Sequence, residues 1–319
     1  MTKDIAVINV GALVGQDAAG RAGVARAIGA ACRGTGFFAI TGHGIGAPVL
    51  AAAFDCARRL FAMPNEDKRT LAIGRHGHNR GYVGLGVERL DEAAAPDHKE
   101  AYNLIWNSVG TVPARAPNLW PELPDWREPV QAYFDAALAL GRRLHQAFAL
   151  DLGLDELFFA DKLDQPMATL RLLRYPAAHP SGSGEPTPLP GAGTHTDYGN
   201  VTLLATDGVA GLQVRRRDGG WIDVPPLAGA LVCNIGDCLM RWTQDIYVST
   251  PHRVLPPPSE RYSIAFFLDP NPEALVGALP GCVPTGGTPR YPPITAADYL
   301  QQRLAATYGR PATGPRATP

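Results

Sequence analysis

The segment "GAGTHTDYGN", residues 191–200, sets His195 two positions before Asp197, and "STPHRVL" adds a lone His252 farther along the chain. On a strand, residues i and i+2 project to the same face, so His195 and Asp197 would point into one space. Two imidazoles and one carboxylate, with coordination positions left open, suit non-haem Fe(II), because those positions admit oxygen and a second ligand side by side. Zinc accepts the same donors. A His-x-Asp pair also arises by chance as a loop cap beside a turn, so its context decides.

That context is "ERYSIAFFLDPN", residues 260–271. Arg261 and Ser263 share a strand face, and Phe267 falls on the same face, where it could close a pocket. A guanidinium binds a carboxylate through two parallel hydrogen bonds, and a neighbouring hydroxyl adds a third donor. The run "SIAFF" is apolar on both faces, which implies a buried strand and argues against a surface ion pair for Arg261. Together these residues form an anchor for a dicarboxylate or a carboxylated substrate. Other polar residues read as structural: Asp237 in "NIGD" as a turn-former, and His76 and His78 in "RHGH" as parts of a solvated loop.

Positioning these groups falls to a chain that changes texture near its middle. After an opening strand, "IAVINV", helical spacing of Val24, Ile28, Ala31 and Cys32 predicts a helix ended by Gly34 and Gly36. "FFAIT" reads as a strand. A second helix runs from Pro48 to Phe61, with Leu50, Phe54, Ala57 and Phe61 on one side and Pro64 closing it. Residues 74–118 are loop-rich. Within them "EAYNLIW" reads as a strand near the mouth of the site, offering Tyr102 or Asn103 to a substrate. Asp125 reads as the N-cap of a third, longer helix with a buried stripe at Val130, Phe134, Ala137, Leu144 and Phe148, ended by Gly153.

Beyond Met167, short β-rich segments alternate with Gly, Pro and Asp-Gly clusters: "ATLRLLRY", "VTLLAT", "GLQVRR", "WIDVP", "ALVCNIG", "RVLP" and "YSIAFFL". Many short strands with frequent turns predict an antiparallel sandwich or barrel. "VRRRDGG" reads as a solvated hairpin tip. The Gly/Pro/Ser run at 177–193 is expected to be a mobile wall beside the ligands or an inert insertion, and the tail after Tyr308 to be disordered.

Bulk composition narrows the function. The chain has 319 residues, 45% of them apolar, enough to bury a large core. Its formal net charge of -1 lacks the basic surplus that nucleic acid or an anionic membrane would require. The five cysteines, at 32, 56, 233, 238 and 282, are odd in number and form no CxxC pair, which fits a reducing compartment. "MTKDIAVINV" lacks the apolar stretch of a signal peptide, and no apolar run approaches the ~20 residues that span a bilayer. The expectation is a cytoplasmic protein, monomeric or weakly dimeric, acting on a small molecule. The 35 Gly and 30 Pro hint at a GC-rich bacterial genome and a tailoring step in secondary metabolism.

The ordered set of motifs resembles the isopenicillin N synthase-like group of Fe(II)- and 2-oxoglutarate-dependent dioxygenases over nearly the whole chain. "ARAIGAACRGTGFFAITGHGI", "FAMPNEDKRTL", "NRGYVGLGVE" and "DHKEAYNL" resemble its N-terminal part. "THTDYGNVTLL", "GLQVRRRDGGWIDV", "NIGDCLMRWT", "STPHRV" and "ERYSIAFFLDPN" resemble its core. The resemblance implies a mainly β fold with packed helices: a distorted double-stranded β-helix (jelly roll) behind a helical N-terminal region. The chain would divide into an N-terminal region over 1–118, a long helix and catalytic jelly roll over 119–308, and a tail over 309–319.

Carried over by position, His195, Asp197 and His252 would hold Fe(II), and Arg261 and Ser263 the distal carboxylate of 2-oxoglutarate. Tyr175 would add a hydrogen bond to that cosubstrate, although Leu173 stands where the family often has Asn. Arg171, on the face of Leu173 and Tyr175, would reach the cosubstrate or a substrate carboxylate, or else pair with an acid at the surface. His43 would be structural. The implied reaction consumes 2-oxoglutarate and O2, releases succinate and CO2, and oxidises an unactivated C–H bond by hydroxylation, desaturation or ring closure. Rival readings are a same-fold oxidase that spares 2-oxoglutarate, an ethylene-forming cleavage of 2-oxoglutarate, a non-catalytic jelly-roll binding protein and a zinc hydrolase.

Overall fold

The computed structural model describes residues 5–76, 79–91, 93–106, 117–178 and 189–308. Strand β1 (Ala6–Asn9) leads into helix α1 (Ala18–Gly34), then β2 (Phe37–Thr41), α2 (Ala47–Phe61), α3 (Asn65–Thr70), α4 (Ile73–His76), β3 (Gly81–Val83) and β4 (Glu100–Ile105). Helix α5 (Arg127–Asp151) separates these from β5 (Thr169–Tyr175), β6 (Ala192–His195), β7 (Val201–Thr206), β8 (Leu212–Arg215), β9 (Trp221–Asp223) and β10 (Leu231–Ile235). Helix α6 (Asp237–Trp242), β11 (His252–Val254), β12 (Arg261–Leu268), β13 (Leu275–Val276), β14 (Ile294–Thr295) and α7 (Ala296–Tyr308) complete the order. Segment 179–188, which covers most of the Gly/Pro/Ser run, His78 and the tail at 309–319 lie outside the described residues.

Local chemistry accounts for most boundaries. Asp17 caps α1 by accepting the Ala19 N–H at 3.0 Å, and the helix buries Ala25, Ile28, Gly29 and Cys32 along one stripe. Gly36 follows at φ +68, and a Cβ there would stand 2.0 Å from the Val248 carbonyl oxygen, so the turn requires glycine. Asp125 is not the cap of the long helix. It lies at φ 52, and α5 starts two residues later with Trp126 at the capping position. The indole of Trp126 is buried and donates to the Cys56 carbonyl at 2.8 Å, so docking against α2 sets the start of α5 rather than a side-chain cap.

Among the described residues, twelve strands form two facing sheets, and β13 pairs with β14 in a separate two-stranded ribbon. The larger has eight strands in the order β1-β2-β10-β7-β12-β5-β4-β3, and the smaller has four in the order β6-β11-β8-β9. The N-terminal strands thus extend both edges of the sheet that β5, β7, β10 and β12 build. Alternation along β12 sends Tyr262, Ile264, Phe266 and Leu268 into the core shared with α1, α2 and α5. It turns Arg261, Ser263, Ala265 and Phe267 toward the space between the sheets. A second, smaller apolar cluster lines that space, with Leu173 and Tyr175 from one sheet meeting Ala192, Val214 and Val254 from the other. Helices outside, a large sheet, then a small sheet facing it make a distorted double-stranded β-helix. The "VRRRDGG" segment turns between β8 and β9, its tip exposed. No helix among the described residues is long and apolar enough to cross a membrane.

Candidate active site

His195 ends β6 and His252 begins β11, and the antiparallel register sets them directly opposite each other. Their ring centroids are 4.3 Å apart. Asp197 is not on the strand. β6 stops at His195, and the following turn carries Asp197 back, held where its carbonyl accepts the Asp237 N–H at 2.7 Å. The expectation of an i, i+2 strand pair is corrected on this point, although the side chains do converge. Asp197 Oδ1 lies 3.8 Å from His195 Nε2 and 3.6 Å from His252 Nε2, and the three ligand atoms all fall within 4.8 Å of one another.

Each ligand is oriented from behind. His195 Nδ1 lies 2.8 Å from the Gly193 carbonyl, and His252 Nδ1 lies 3.1 Å from the Thr250 carbonyl. A carbonyl can only accept, so each Nδ1 carries the hydrogen and each Nε2 presents its lone pair to the centre. Asp197 Oδ2 accepts from Thr202 Oγ1 at 2.5 Å and Asn234 Nδ2 at 2.7 Å, which leaves Oδ1 for the centre. Burial, and then the neighbouring His252, lower the His195 pKa to about 3, so its imidazole is neutral. Burial alone would raise Asp197, but the two histidines and the Asn234 and Thr202 bonds outweigh it and hold the carboxyl below its usual range. Two imidazoles and one ionised carboxylate, preset in direction, are a donor set that fits Fe(II).

The triad lines one side of a cavity with about 590 Å³ of empty space, its open mouth included. Arg261, Ser263, Tyr175, Arg171 and Phe267 line the same cavity. Arg261 is 1% exposed, yet among the described residues it has no acidic partner. Its Nε donates to the Val209 carbonyl at 3.2 Å, its Nη1 to Ser263 Oγ at 3.4 Å, and its Cζ lies 4.8 Å from the Tyr175 ring centre. A buried guanidinium without a counter-charge is costly, so this end of the cavity fits a carboxylate guest.

Arg171 does pair with an acid, but not at the surface. It meets Glu88, which is buried, and Glu88 Oε2 also lies 3.4 Å from Lys99 Nζ. Lys99 in turn meets the buried Asp97. Burial alone would raise the Glu88 pKa, but Arg171 and Lys99 hold it below the usual carboxylate range. Glu88, Asp97 and Lys99 were not singled out from the sequence, where they sit among loop residues with no periodic pattern.

Tyr102 is on the wrong face for a substrate contact. It points into the helix-side core, packs 5.7 Å from the Trp126 ring and donates its hydroxyl to the Leu119 carbonyl at 2.8 Å. Asn103 occupies the cavity-side face opposite Arg171, bonded to Asn79 at 3.0 Å, but it does not line the cavity. Asp237 opens α6 rather than a free turn, accepting from Thr196 Oγ1 at 3.0 Å and pairing with Arg303 at 2.8 Å. His43 accepts the Ile45 N–H on Nδ1 at 3.2 Å and meets the Gly229 carbonyl with Nε2, a structural role. His76 is exposed, 3.0 Å from the Thr70 carbonyl.

Residues 5–123 match the family described as non-haem dioxygenase in morphine synthesis N-terminal, and residues 168–270 match the 2OG-Fe(II) oxygenase superfamily. The chain is 36% identical over 318 residues to a 2-oxoglutarate-Fe(II) type oxidoreductase of Emericella nidulans, covering 95% of this chain and 90% of that one. It is 34% identical over 273 residues to a homoarginine-6-hydroxylase of Arabidopsis thaliana, covering 82% and 81% of the two chains. A full-length Neurospora crassa protein crystallised with alpha-KG superposes with a TM-score of 0.84 at 33% identity, covering 95% of this chain and 96% of that one. In complex with alpha-KG and thymine the same protein gives 0.83 at 32% identity, with coverage of 95% and 97%.

Proposed function

Because the chain belongs to the 2OG-Fe(II) oxygenase superfamily and is an Fe(II)- and 2-oxoglutarate-dependent oxygenase, we propose the following division of labour among its residues. His195, Asp197 and His252 hold Fe(II). Arg261 and Ser263 seat the distal carboxylate of 2-oxoglutarate, with Tyr175 stacked on the guanidinium. When bound, the iron supplies the site at which O2 is reduced with electrons from decarboxylation of 2-oxoglutarate, giving succinate and CO2. The protein's part is orientation and exclusion of water. The Gly193 and Thr250 carbonyls fix both imidazoles, Thr202 and Asn234 fix the carboxylate, and Phe37, Leu204, Leu212 and Val254 wall the cavity with apolar surface.

The substrate is a small molecule that brings a C–H bond over the iron and carries a charged or strongly polar group. Arg171 and Lys99, with Glu88 between them, offer that group its partners, and Phe267 packs against its apolar part. The observation that carries the whole reading is the buried Arg261, which has no acidic partner among the described residues and shares one cavity with the triad. Anaerobic addition of Fe(II) and then 2-oxoglutarate should develop a weak visible charge-transfer band, and on admission of air succinate should form. Absence of the band removes the cosubstrate assignment. Succinate falling short of the O2 consumed favours a same-fold oxidase instead, and ethylene in the headspace favours cleavage of the cosubstrate itself.

A further inference from the structure

We propose that Asp97 is a positioning residue for His195, and that the charged residues of the cavity act on the metal centre through it. The proposal rests on the reading of His195 as an iron ligand. Among the described residues, strand β6 lies at the edge of the small sheet, paired on one side with β11 alone, and the pairing is irregular between His252 and Val254. An edge strand with one partner is a loose mount for a metal ligand. Its other side is held by Asp97 and His98. Asp97 Oδ1 accepts the Gly193 N–H at 2.9 Å, and the carbonyl of the same Gly193 accepts the His195 Nδ1–H at 2.8 Å. A second bond, from the His98 N–H to the Pro190 carbonyl at 2.8 Å, fastens the chain just before the strand. The approach is close enough to require glycine: a Cβ on Gly193 would stand 2.8 Å from Asp91 Cβ and 2.9 Å from Asp91 N.

Asp97 is 1% exposed, and its Oδ2 accepts from Lys99 Nζ. Lys99 reaches Glu88, and Glu88 reaches Arg171, so four charges alternate in a row from β6 to β5. They are poorly screened, because Asp97, Lys99 and Glu88 are all buried. Lys99 and Arg171 line the cavity alongside His195. An anionic group entering there competes with Glu88 for Arg171. The released Glu88 carboxylate draws Lys99 away from Asp97, and the carboxylate that grips Gly193 changes its charge balance. The backing of His195 is therefore coupled to the charge state of the substrate end of the cavity, and the ligand class it answers to is a small molecule bearing a carboxylate or similar anion.

The test uses the full chain, metal-free, labelled with 15N-histidine and 15N-glycine. In the wild type, His195 is expected as the Nδ1–H tautomer, and the Gly193 amide is expected to be protected from hydrogen exchange although it faces the open edge of β6. Asp97→Asn should mix the two tautomers and lower Mn(II) affinity about tenfold, the range expected when the support of a ligating histidine is lost. Glu88→Gln, three charges away from the strand, should shift the His195 nitrogen signals in the same direction. A folded Asp97→Asn with an unchanged tautomer and unchanged Mn(II) affinity overturns the positioning role. Wild-type His195 signals in Glu88→Gln overturn the coupling. If Asp97→Asn does not fold, exchange of the wild-type Gly193 amide decides alone, and an unprotected rate ends the proposal. Failure of the wild type to bind Mn(II) would instead count against the iron-ligand reading.

Discussion

His195 and His252 stand opposite each other across the β6–β11 ladder, ring centroids 4.3 Å apart, each turned by a backbone carbonyl so that its Nε2 faces the same point. Two imidazoles at that distance repel a second positive charge, and His252 contributes to lowering the His195 pKa. The convergence of the two Nε2 atoms with the Asp197 carboxylate suits one shared cation.

Removing one of the two breaks the site without opening the core. His252→Ala should lower Mn(II) or Fe(II) affinity by at least about 100-fold, beyond the loss typical of supporting residues, and abolish succinate formation. Metal titration followed by intrinsic fluorescence, with a thermal melt as control, checks both. Unchanged turnover would remove His252 from the metal site.

Arg261 should act on the cosubstrate and not on the metal. A buried guanidinium–carboxylate contact is worth a few kcal/mol when one partner is removed, so Arg261→Ala should raise the 2-oxoglutarate concentration for half-maximal charge-transfer absorbance by about 100-fold. Mn(II) affinity without 2-oxoglutarate should stay within about a factor of three. Arg261→Lys should recover only part of the loss, since an ammonium lacks the planar fork.

The two faces of β4 give a contrast. Tyr102→Phe removes one hydrogen bond, to the Leu119 carbonyl, in the helix-side core. It should cost about 1 kcal/mol of stability in urea unfolding and leave 2-oxoglutarate turnover as it is. A change in turnover would mean that the face assignment is wrong.

That contrast also shows what could be read in advance. The alternation along "ERYSIAFFL" assigned Arg261, Ser263 and Phe267 to one face because both faces of β12 are buried and the polar residues fall on one of them. "EAYNLIW" offers no such marker: Ala101 and Asn103 face the cavity side while Tyr102 and Leu104 face the helices, and either face could have taken the aromatic. His195, Asp197 and His252 were legible as donor types, but the turn that carries Asp197 depends on Asp237, Thr202 and Asn234, which reach it from elsewhere in the fold. Glu88, Asp97 and Lys99 looked like loop charges because only tertiary pairing buries them. The start of α5 was misplaced because packing of Trp126 against Cys56 overrides a good capping residue next to it.

His145 supplies an acid-side stability signal separate from the active site. It is buried, its Nδ1–H donates to the Gly141 carbonyl at 2.8 Å, and burial lowers its pKa to about 4. With the folded value below the unfolded one of about 6.5, the unfolded chain binds the extra proton first. The contribution is therefore intact above pH ~6.5 and is lost as pH falls toward ~4, by roughly 3 kcal/mol in all. Urea unfolding of the metal-free protein at pH 8 and pH 5 should show a smaller difference for His145→Gln than for the wild type. Equal differences would remove His145 as a source of the slope.

The carboxylate ligand depends on two donors that touch only its far oxygen. Thr202 and Asn234 both bond Asp197 Oδ2, and both are buried, so neither bond competes with water. With Oδ2 held, the carboxylate cannot rotate to offer both oxygens to the metal, and Oδ1 alone faces the histidines. Asn234→Leu removes the longer of the two bonds and leaves the apolar packing of β10. Thr202→Val removes the other with almost no change of shape. Each change should lower Mn(II) affinity by about 10-fold or more. The double variant should lose less than the product of the two, because once the carboxylate turns freely the second donor has little left to hold. Isothermal titration of the three variants closes the cycle. Full additivity would show that the two donors act on metal binding by separate routes and not through a shared grip on Asp197.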